Sequence, residues 1–187
     1  MKEPLLPPCR HPLVEIRSLL PADIPDWYAY LREPEVIQHT SWNLRDIYDL
    51  YALYNDYQCE GPETPLRFAI AERATGRLVG TLGFNHRSLQ HRHAEIAYDL
   101  APAWWGRGIA TALCLDASEW ALRSQHWLRV QAVVLDTNAA SIRVLEKAGF
   151  EREGWLRAYR VVRGAPGNFF MYARVASGAA LQVIPNY

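Results

Sequence analysis

The stretch from Ala94 to Thr111, Ala-Glu-Ile-Ala-Tyr-Asp-Leu-Ala-Pro-Ala-Trp-Trp-Gly-Arg-Gly-Ile-Ala-Thr, limits the possible folds more than any other part of the chain. His93 to Leu100 reads as a strand ended by Pro102. Gly106 to Ser124 reads as a long helix, with Ile109, Ala112, Leu113, Ala117, Trp120 and Ala121 at helical spacing. A Gly-x-Gly turn therefore joins a strand to a helix N-terminus. The first backbone N–H groups of a helix have no intrahelical acceptor, and the helix dipole adds partial positive charge there. Small residues let a phosphate approach the backbone closely. The segment is suited to an anionic phosphate ligand, with Arg107 as an adjacent cation.

Two common phosphate turns do not fit. A P-loop places Lys-Ser/Thr after its last glycine, whereas Ile109 follows Gly108. A dinucleotide-binding turn needs a third glycine, absent here, and belongs to a doubly wound parallel sheet.

The rest of the chain predicts a different sheet. Val14–Ser18 alternates as a strand, and Pro21-Ala22-Asp23 opens a helix running to about Arg32, before Pro34. Asn43-Leu44-Arg45-Asp46 resembles a capping box, starting a helix with Ile47, Leu50, Tyr51, Tyr54 and Tyr57 on one side. Leu66 to Glu72 and Leu78 to Phe84 flank the turn Ala74-Thr75-Gly76 as a hairpin, and Asn85 to Arg92 reads as a polar loop. Leu128 to Asp136 is a buried strand, and Ser141 to Ala148 a short helix closed by Gly149. Two strands around Gly164-Ala165-Pro166-Gly167 complete the series. Antiparallel hairpins combined with βαβ units predict a mixed α/β sheet in a single domain over residues 13–176, with a proline-rich arm at 1–12 and a tail at 177–187.

Composition narrows the partners. Lys+Arg and Asp+Glu both total 20, so the formal net charge is zero, which argues against a nucleic-acid surface. No apolar run approaches the ~20 residues of a membrane span, and no apolar segment follows Met1-Lys2-Glu3-Pro4, so neither a membrane partner nor a signal peptide is expected and the cytoplasm is the default compartment. Cys9, Cys59 and Cys114 are odd in number and far apart, which predicts neither a disulfide framework nor a zinc site. His91-x-His93-x-Glu95 has one-face spacing, but nothing completes a ligand set, so no metal is expected.

Trp105-Gly106-Arg107-Gly108-Ile109-Ala110 resembles the pyrophosphate loop of the GNAT superfamily of N-acetyltransferases, Gln/Arg-x-x-Gly-x-Gly/Ala, with Trp105 departing at the first position. Trp-Gly-x-Gly-x-Ala-Thr is similar to the RimJ/RimL branch of ribosomal-protein N-terminal acetyltransferases. Ala94-Glu95-Ile96-Ala97-Tyr98 resembles that branch's preceding strand, and Leu31-Arg32-Glu33-Pro34-Glu35-Val36 its first-helix ending. Asp136-Thr137-Asn138-Ala139-Ala140-Ser141 with Glu146-Lys147-Ala148-Gly149-Phe150 matches its Asn-x-x-Ser…Glu-Lys-x-Gly-Phe signature. The resemblance covers roughly residues 14–175.

The resemblance implies the acyl-CoA acyltransferase fold, with splayed central parallel strands, and acetyl transfer from acetyl-CoA to a primary amine by direct attack in a ternary complex. The acceptor it favours is a protein or peptide N-terminal α-amine. Trp105 and the Gly106, Arg107, Gly108, Ile109, Ala110 and Thr111 backbone would hold the pyrophosphate. The split between the strand ending at Leu100 and the next parallel strand would take the pantetheine arm, with Asn138 at its mouth and an oxyanion donor near Ile96–Tyr98. Ser141 would reprotonate the thiolate, because the tyrosine position of many members is Leu145 here. Trp42, Tyr98 and Trp104 are acceptor-side candidates, beside Trp105 and the Tyr48–Tyr57 stripe. Branch members often carry Asp where this chain has Asn168.

Proton handling separates acceptors. An α-amine has a pKa of about 7.7–8.0 and lysine about 10.4, so lysine costs roughly 4 kcal/mol to deprotonate near pH 7.4. An α-amine needs only a modest base: Glu95, or Asp99 on the same strand face, or either through water. A small-molecule amine, antibiotic or amino-acid-like, is an alternative acceptor, and a neutral chain offers little pull on a polyamine. A non-catalytic acyl-CoA sensor is a third reading, against which Glu95 and Ser141 both being present argues. The oligomeric state stays open: a homodimer that exchanges the arm or the tail is compatible with the sequence.

Overall fold

In the structure, a computed structural model describing residues 6–40, 42, 44–59, 61 and 63–177, alternation and helical spacing become elements close to the expected places. The strands are β1 (Val14–Ser18), β2 (Leu66–Glu72), β3 (Leu78–Ser88), β4 (His93–Leu100), β5 (Arg129–Leu135), β6 (Glu151–Val162) and β7 (Ala165–Val175). The helices are α1 (Ile24–Leu31), α2 (Pro34–Ile37), α3 (Ile47–Gln58), α4 (Ile109–Arg123) and α5 (Ala139–Lys147). All seven strands form one mixed sheet in the order β1-β2-β3-β4-β5-β7-β6.

The local differences from expectation have physical causes. The helix opened by Pro21 starts as a 3-10 turn over Pro21–Asp23 before α1. Helix α3 is capped by Asp46, whose carboxylate accepts from the Tyr48 N–H at 2.9 Å, so the helix begins beyond the proposed capping box; Asn43 itself lies outside the described residues. β3 continues to Ser88, because Asn85 and Ser88 still pair with Glu95 and His93 on β4, leaving a shorter loop. Arg163 and Gly164, both at positive φ, make the β6–β7 turn, and Ala165–Gly167 belong to β7.

Helices pack on both faces of the sheet. Even-numbered β4 side chains join a core with α4 and α5 that includes Ile96, Leu100, Ile109, Leu113, Val130 and Leu145. Trp120 and Trp127 pack there against Phe84. The opposite face carries α1, α2 and α3 over Leu19, Ile24, Trp27, Leu31, Leu50 and Ala69. Of the α3 residues only Leu50 is buried, and Tyr48 and Tyr51 point to solvent, so the tyrosine stripe is not a cleft wall. The arm is fastened to α4: the Arg10 backbone N–H and Nε donate to the buried Asp116 carboxylate at 2.8 and 2.6 Å. The tail beyond residue 177 lies outside the described residues. Cys9, Cys59 and Cys114 are unpaired.

One break in the sheet matters for function. β4 and β5 are parallel and paired only at His93–Arg129, Ala94–Val130 and Glu95–Gln131. Beyond Glu95 they part, while β3–β4 and β5–β7 stay paired along their lengths.

Candidate active site

The parting opens a cleft of about 800 Å³ whose lining residues come from both faces of the sheet. On the α4–α5 side it is bounded by the turn after β4. Gly106 and Gly108 have φ of 74° and 78°, and nothing stands within 4 Å of where a Cβ would be at either, so backbone conformation rather than crowding calls for glycine. Gly108 caps α4, whose first intrahelical bond runs from the Ala112 N–H to the Gly108 carbonyl at 3.0 Å. The Ile109, Ala110 and Thr111 amides therefore begin the helix without intrahelical acceptors. The Trp105 indole N–H donates to the Leu100 carbonyl at 2.8 Å, fastening the turn to the end of β4. Arg107 stacks over Trp104 at 4.8 Å, and its carbonyl lies 3.2 Å from Nε2 of His11.

Asn138 caps α5 on the same side, its Oδ1 accepting from the Ser141 N–H at 3.1 Å. Ser141 lines the cleft, and its carbonyl accepts from the Tyr98 hydroxyl at 3.5 Å. Loss of water pushes the Tyr98 phenol well above its ordinary range. Leu145 is buried in the core beside them. Of the three acceptor-side candidates, Tyr98 and Trp104 pack on this face and only Trp42 lies on the other. Alternation along β4 explains the separation: Tyr98 has the parity of Ile96, and Glu95 that of Asp99.

The face toward α1–α3 carries the charged groups. Glu95 is 3% exposed, and its Oε1 accepts from Arg160 Nη2 on β6 at 3.0 Å. Asp99 accepts from the Thr81 hydroxyl at 2.6 Å and from the Tyr30 hydroxyl. Desolvation raises the Asp99 carboxyl above the usual range, with the charge of Arg67 and these hydrogen bonds opposing it. In the ladder Arg67, Gly83 and Ala97 are successive neighbours. A Cβ at Gly83 would meet the Leu66 carbonyl oxygen at 2.0 Å and the Arg67 Cα at 3.1 Å, so glycine is required there. The Arg67 guanidinium lies beside the rings of Trp42 and Tyr57, at 5.8 and 5.5 Å. Above the cleft, Arg163 Nη2 donates to the Ile37 and Trp42 carbonyls at 2.8 and 2.7 Å and to Thr40 Oγ1 at 3.0 Å.

Sequence reasoning reached the turn, Asn138, Ser141, Glu95 and Asp99 but missed Arg67, Arg160 and Arg163. Arg67 left a trace: it is the one charge inside the apolar run Leu66-Arg67-Phe68-Ala69-Ile70. Arg160 and Arg163 sit in polar sequence and gave no signal. His91 and His93 stack at 6.2 Å, and the described residues contain no cluster of three or more His, Cys, Asp or Glu able to hold a metal.

An amide-lined turn on one face and a carboxylate on the other meet where two parallel strands part. The sequence model of the family described as acetyltransferase (GNAT) domain matches residues 14–151, and the chain belongs to that family. It is 36% identical over 110 residues to the uncharacterized N-acetyltransferase YoaA of Bacillus subtilis, spanning 59% of this chain and 62% of that protein. It is 30% identical over 148 residues to the uncharacterized N-acetyltransferase p20 of Bacillus licheniformis, spanning 77% and 82%. Among solved structures, Mycobacterium smegmatis RimJ in complex with CoA-disulfide superposes with a TM-score of 0.78 at 25% identity, covering 87% of this chain and 82% of that one. The fold is also that of the Vibrio cholerae spermidine N-acetyltransferase in complex with CoA and spermine, with a TM-score of 0.77 at 19% identity, covering 88% and 96%.

Proposed function

We propose that the protein transfers the acetyl group of acetyl-CoA to the α-amine at the N-terminus of a protein or peptide. The observation that carries this reading is the position of Glu95 at the last paired residue before β4 and β5 part, on the sheet face opposite the Gly106–Thr111 turn. The Ile109, Ala110 and Thr111 amides would bind the pyrophosphate of the donor, with Arg107 near it. The gap between β4 and β5 beyond Glu95 would admit the pantetheine arm, beside Asn138. A backbone N–H in Ile96–Tyr98 would donate to the oxyanion as the amine nitrogen bonds to the thioester carbon. Glu95, directly or through water, would take the proton released by the amine. The C–S bond then breaks, and the thiolate takes a proton from Ser141 or from water.

A carboxylate is a modest base. That suits an α-amine, with a pKa of about 7.7–8.0, far better than a lysine at about 10.4. Likeness to the ribosomal protein uS5-alanine N-acetyltransferase of Escherichia coli, 24% identical over 113 residues, supports a protein acceptor. The guanidiniums of Arg67 and Arg160 beside the acceptor face weigh against a polyamine, although one fold neighbour is a spermidine enzyme. Three unpaired cysteines fit a reducing compartment, and we place the reaction in the cytoplasm.

The test is product mapping. A peptide carrying a free N-terminus and an internal lysine is incubated with acetyl-CoA and the protein, and fragment masses locate the acetyl group. Acetyl on the α-amine supports the reading; acetyl on the lysine alone rejects it.

A further inference from the structure

Arg67 is 6% exposed and yet lines the cleft. Its polar contacts are long: Nη1 lies 3.5 Å from Thr81 Oγ1 and 3.4 Å from the Ala97 carbonyl, and Nη2 lies 3.3 Å from Asn85 Oδ1. Ordinary N–H···O bonds are about 2.7–3.2 Å. Its Nε, buried, meets no acceptor. Among the described residues no carboxylate lies within ion-pair distance of it, whereas Arg160, the other guanidinium on this face, is matched by Glu95 at 3.0 Å. A buried, incompletely bonded guanidinium is costly unless an anion completes its shell.

Three neighbours keep the group in place without neutralising it. Gly83 leaves the sheet surface beneath it bare, and the rings of Trp42 and Tyr57 stand beside it. Asp99 on β4 feels the charge of Arg67, but its hydrogen bonds are made with Thr81 and Tyr30. The Ala97 carbonyl that Arg67 approaches belongs to the middle residue of Ile96–Tyr98, the segment assigned to the reacting carbonyl. An anion on Arg67 would thus lie near the attacking amine.

The geometry points to Arg67 as the anion-binding residue of the acceptor subsite: the amine acetylated here carries a carboxylate a few bonds from its nitrogen. This rests on the N-acetyltransferase reading and narrows its substrate. The carboxylate has two possible sources, the α-carboxylate of a free amino acid or the side chain of an acidic first residue in a peptide. A guanidinium with paired N–H donors suits either, since it engages a carboxylate in bidentate fashion.

The experiment measures CoA release with matched acceptors that differ only in charge. One arm compares free alanine with its α-amide, and the other compares peptides beginning with aspartate and with asparagine. In one of the arms the acid should exceed the neutral partner in kcat/KM by roughly tenfold or more, mainly through KM. That arm names the source. Arg67→Gln should bring the ratio close to one, and Arg67→Lys should keep part of it, with CoA affinity reporting that each variant is folded. Equal use of acid and neutral partners by the wild-type protein overturns the proposal and leaves the acetyltransferase reading standing, as does a preference that survives Arg67→Gln. CoA binding with no release from any amine overturns both.

Discussion

Arg160 Nη2 on β6 lies 3.0 Å from Glu95 Oε1 on β4, an ion pair that spans the opening between β4 and β5. The carboxylate is almost wholly buried and the guanidinium about a third exposed on its side chain. Arg160→Met would leave a buried carboxylate without its counter-charge. Its kcat/KM should fall by roughly tenfold while CoA still binds. Glu95→Gln should lower kcat by roughly a hundredfold while CoA still binds. An unchanged kcat in Glu95→Gln would show that Glu95 does not take the proton.

The turn after β4 should tolerate change poorly. Gly108→Ala places a side chain at φ 78° and should cost about 1 kcal/mol of stability. Gly108→Glu adds negative charge where the phosphates would sit and should abolish CoA binding measured by calorimetry. Ser141→Ala should lower kcat by at most about tenfold, because a thiol of pKa near 8.5 leaves without much help. If Ser141→Ala removes activity as completely as Gly108→Glu while CoA still binds, Ser141 is an essential acid.

Asp99 sets a pH dependence of stability. Its carboxyl is raised in the folded protein, so the native state holds that proton more tightly than the unfolded chain. This contribution is fully present below the unfolded value of about 3.9, falls as pH rises toward the folded value, and is lost above it. Asp99→Asn should therefore flatten the decline in Tm across weakly acidic pH. Parallel Tm-against-pH curves for the two proteins would contradict the assignment.

Arg163 acts on the acceptor side through backbone contacts. By donating to the Ile37 and Trp42 carbonyls and to Thr40 Oγ1, it ties the β6–β7 turn to the segment bearing Trp42. Arg163→Ala should raise the acceptor KM severalfold, leave CoA affinity unchanged, and speed amide exchange in residues 37–40. An unchanged acceptor KM would make the clamp irrelevant to catalysis.

The donor side was legible because its chemistry is local in sequence. Gly106, Gly108, Asn138 and Ser141 sit in short motifs whose backbone conformation and capping are set by adjacent residues. The acceptor side is assembled from β2, β3, β4 and β6, and no spacing rule links Arg67, Thr81, Glu95 and Arg160. Strand alternation could have put Tyr98 on the α4–α5 face opposite Glu95. The tyrosines of α3 followed helical spacing, and Tyr54 and Tyr57 do pack partly buried against the core around Leu50, whereas Tyr48 and Tyr51 face solvent. The end of β3 was read as loop because Asn85, His86, Arg87 and Ser88 are polar, whereas pairing to β4 decided their conformation.

The most direct test is release of free CoA from acetyl-CoA by the purified protein with a panel of peptides, amino acids, polyamines and ring-bearing amines. Saturable release with an α-amine acceptor, already strong near pH ~7.5, is the predicted result. Saturable CoA binding without release from any amine, or release that rises only above pH ~9 as a lysine-type amine requires, would contradict the account.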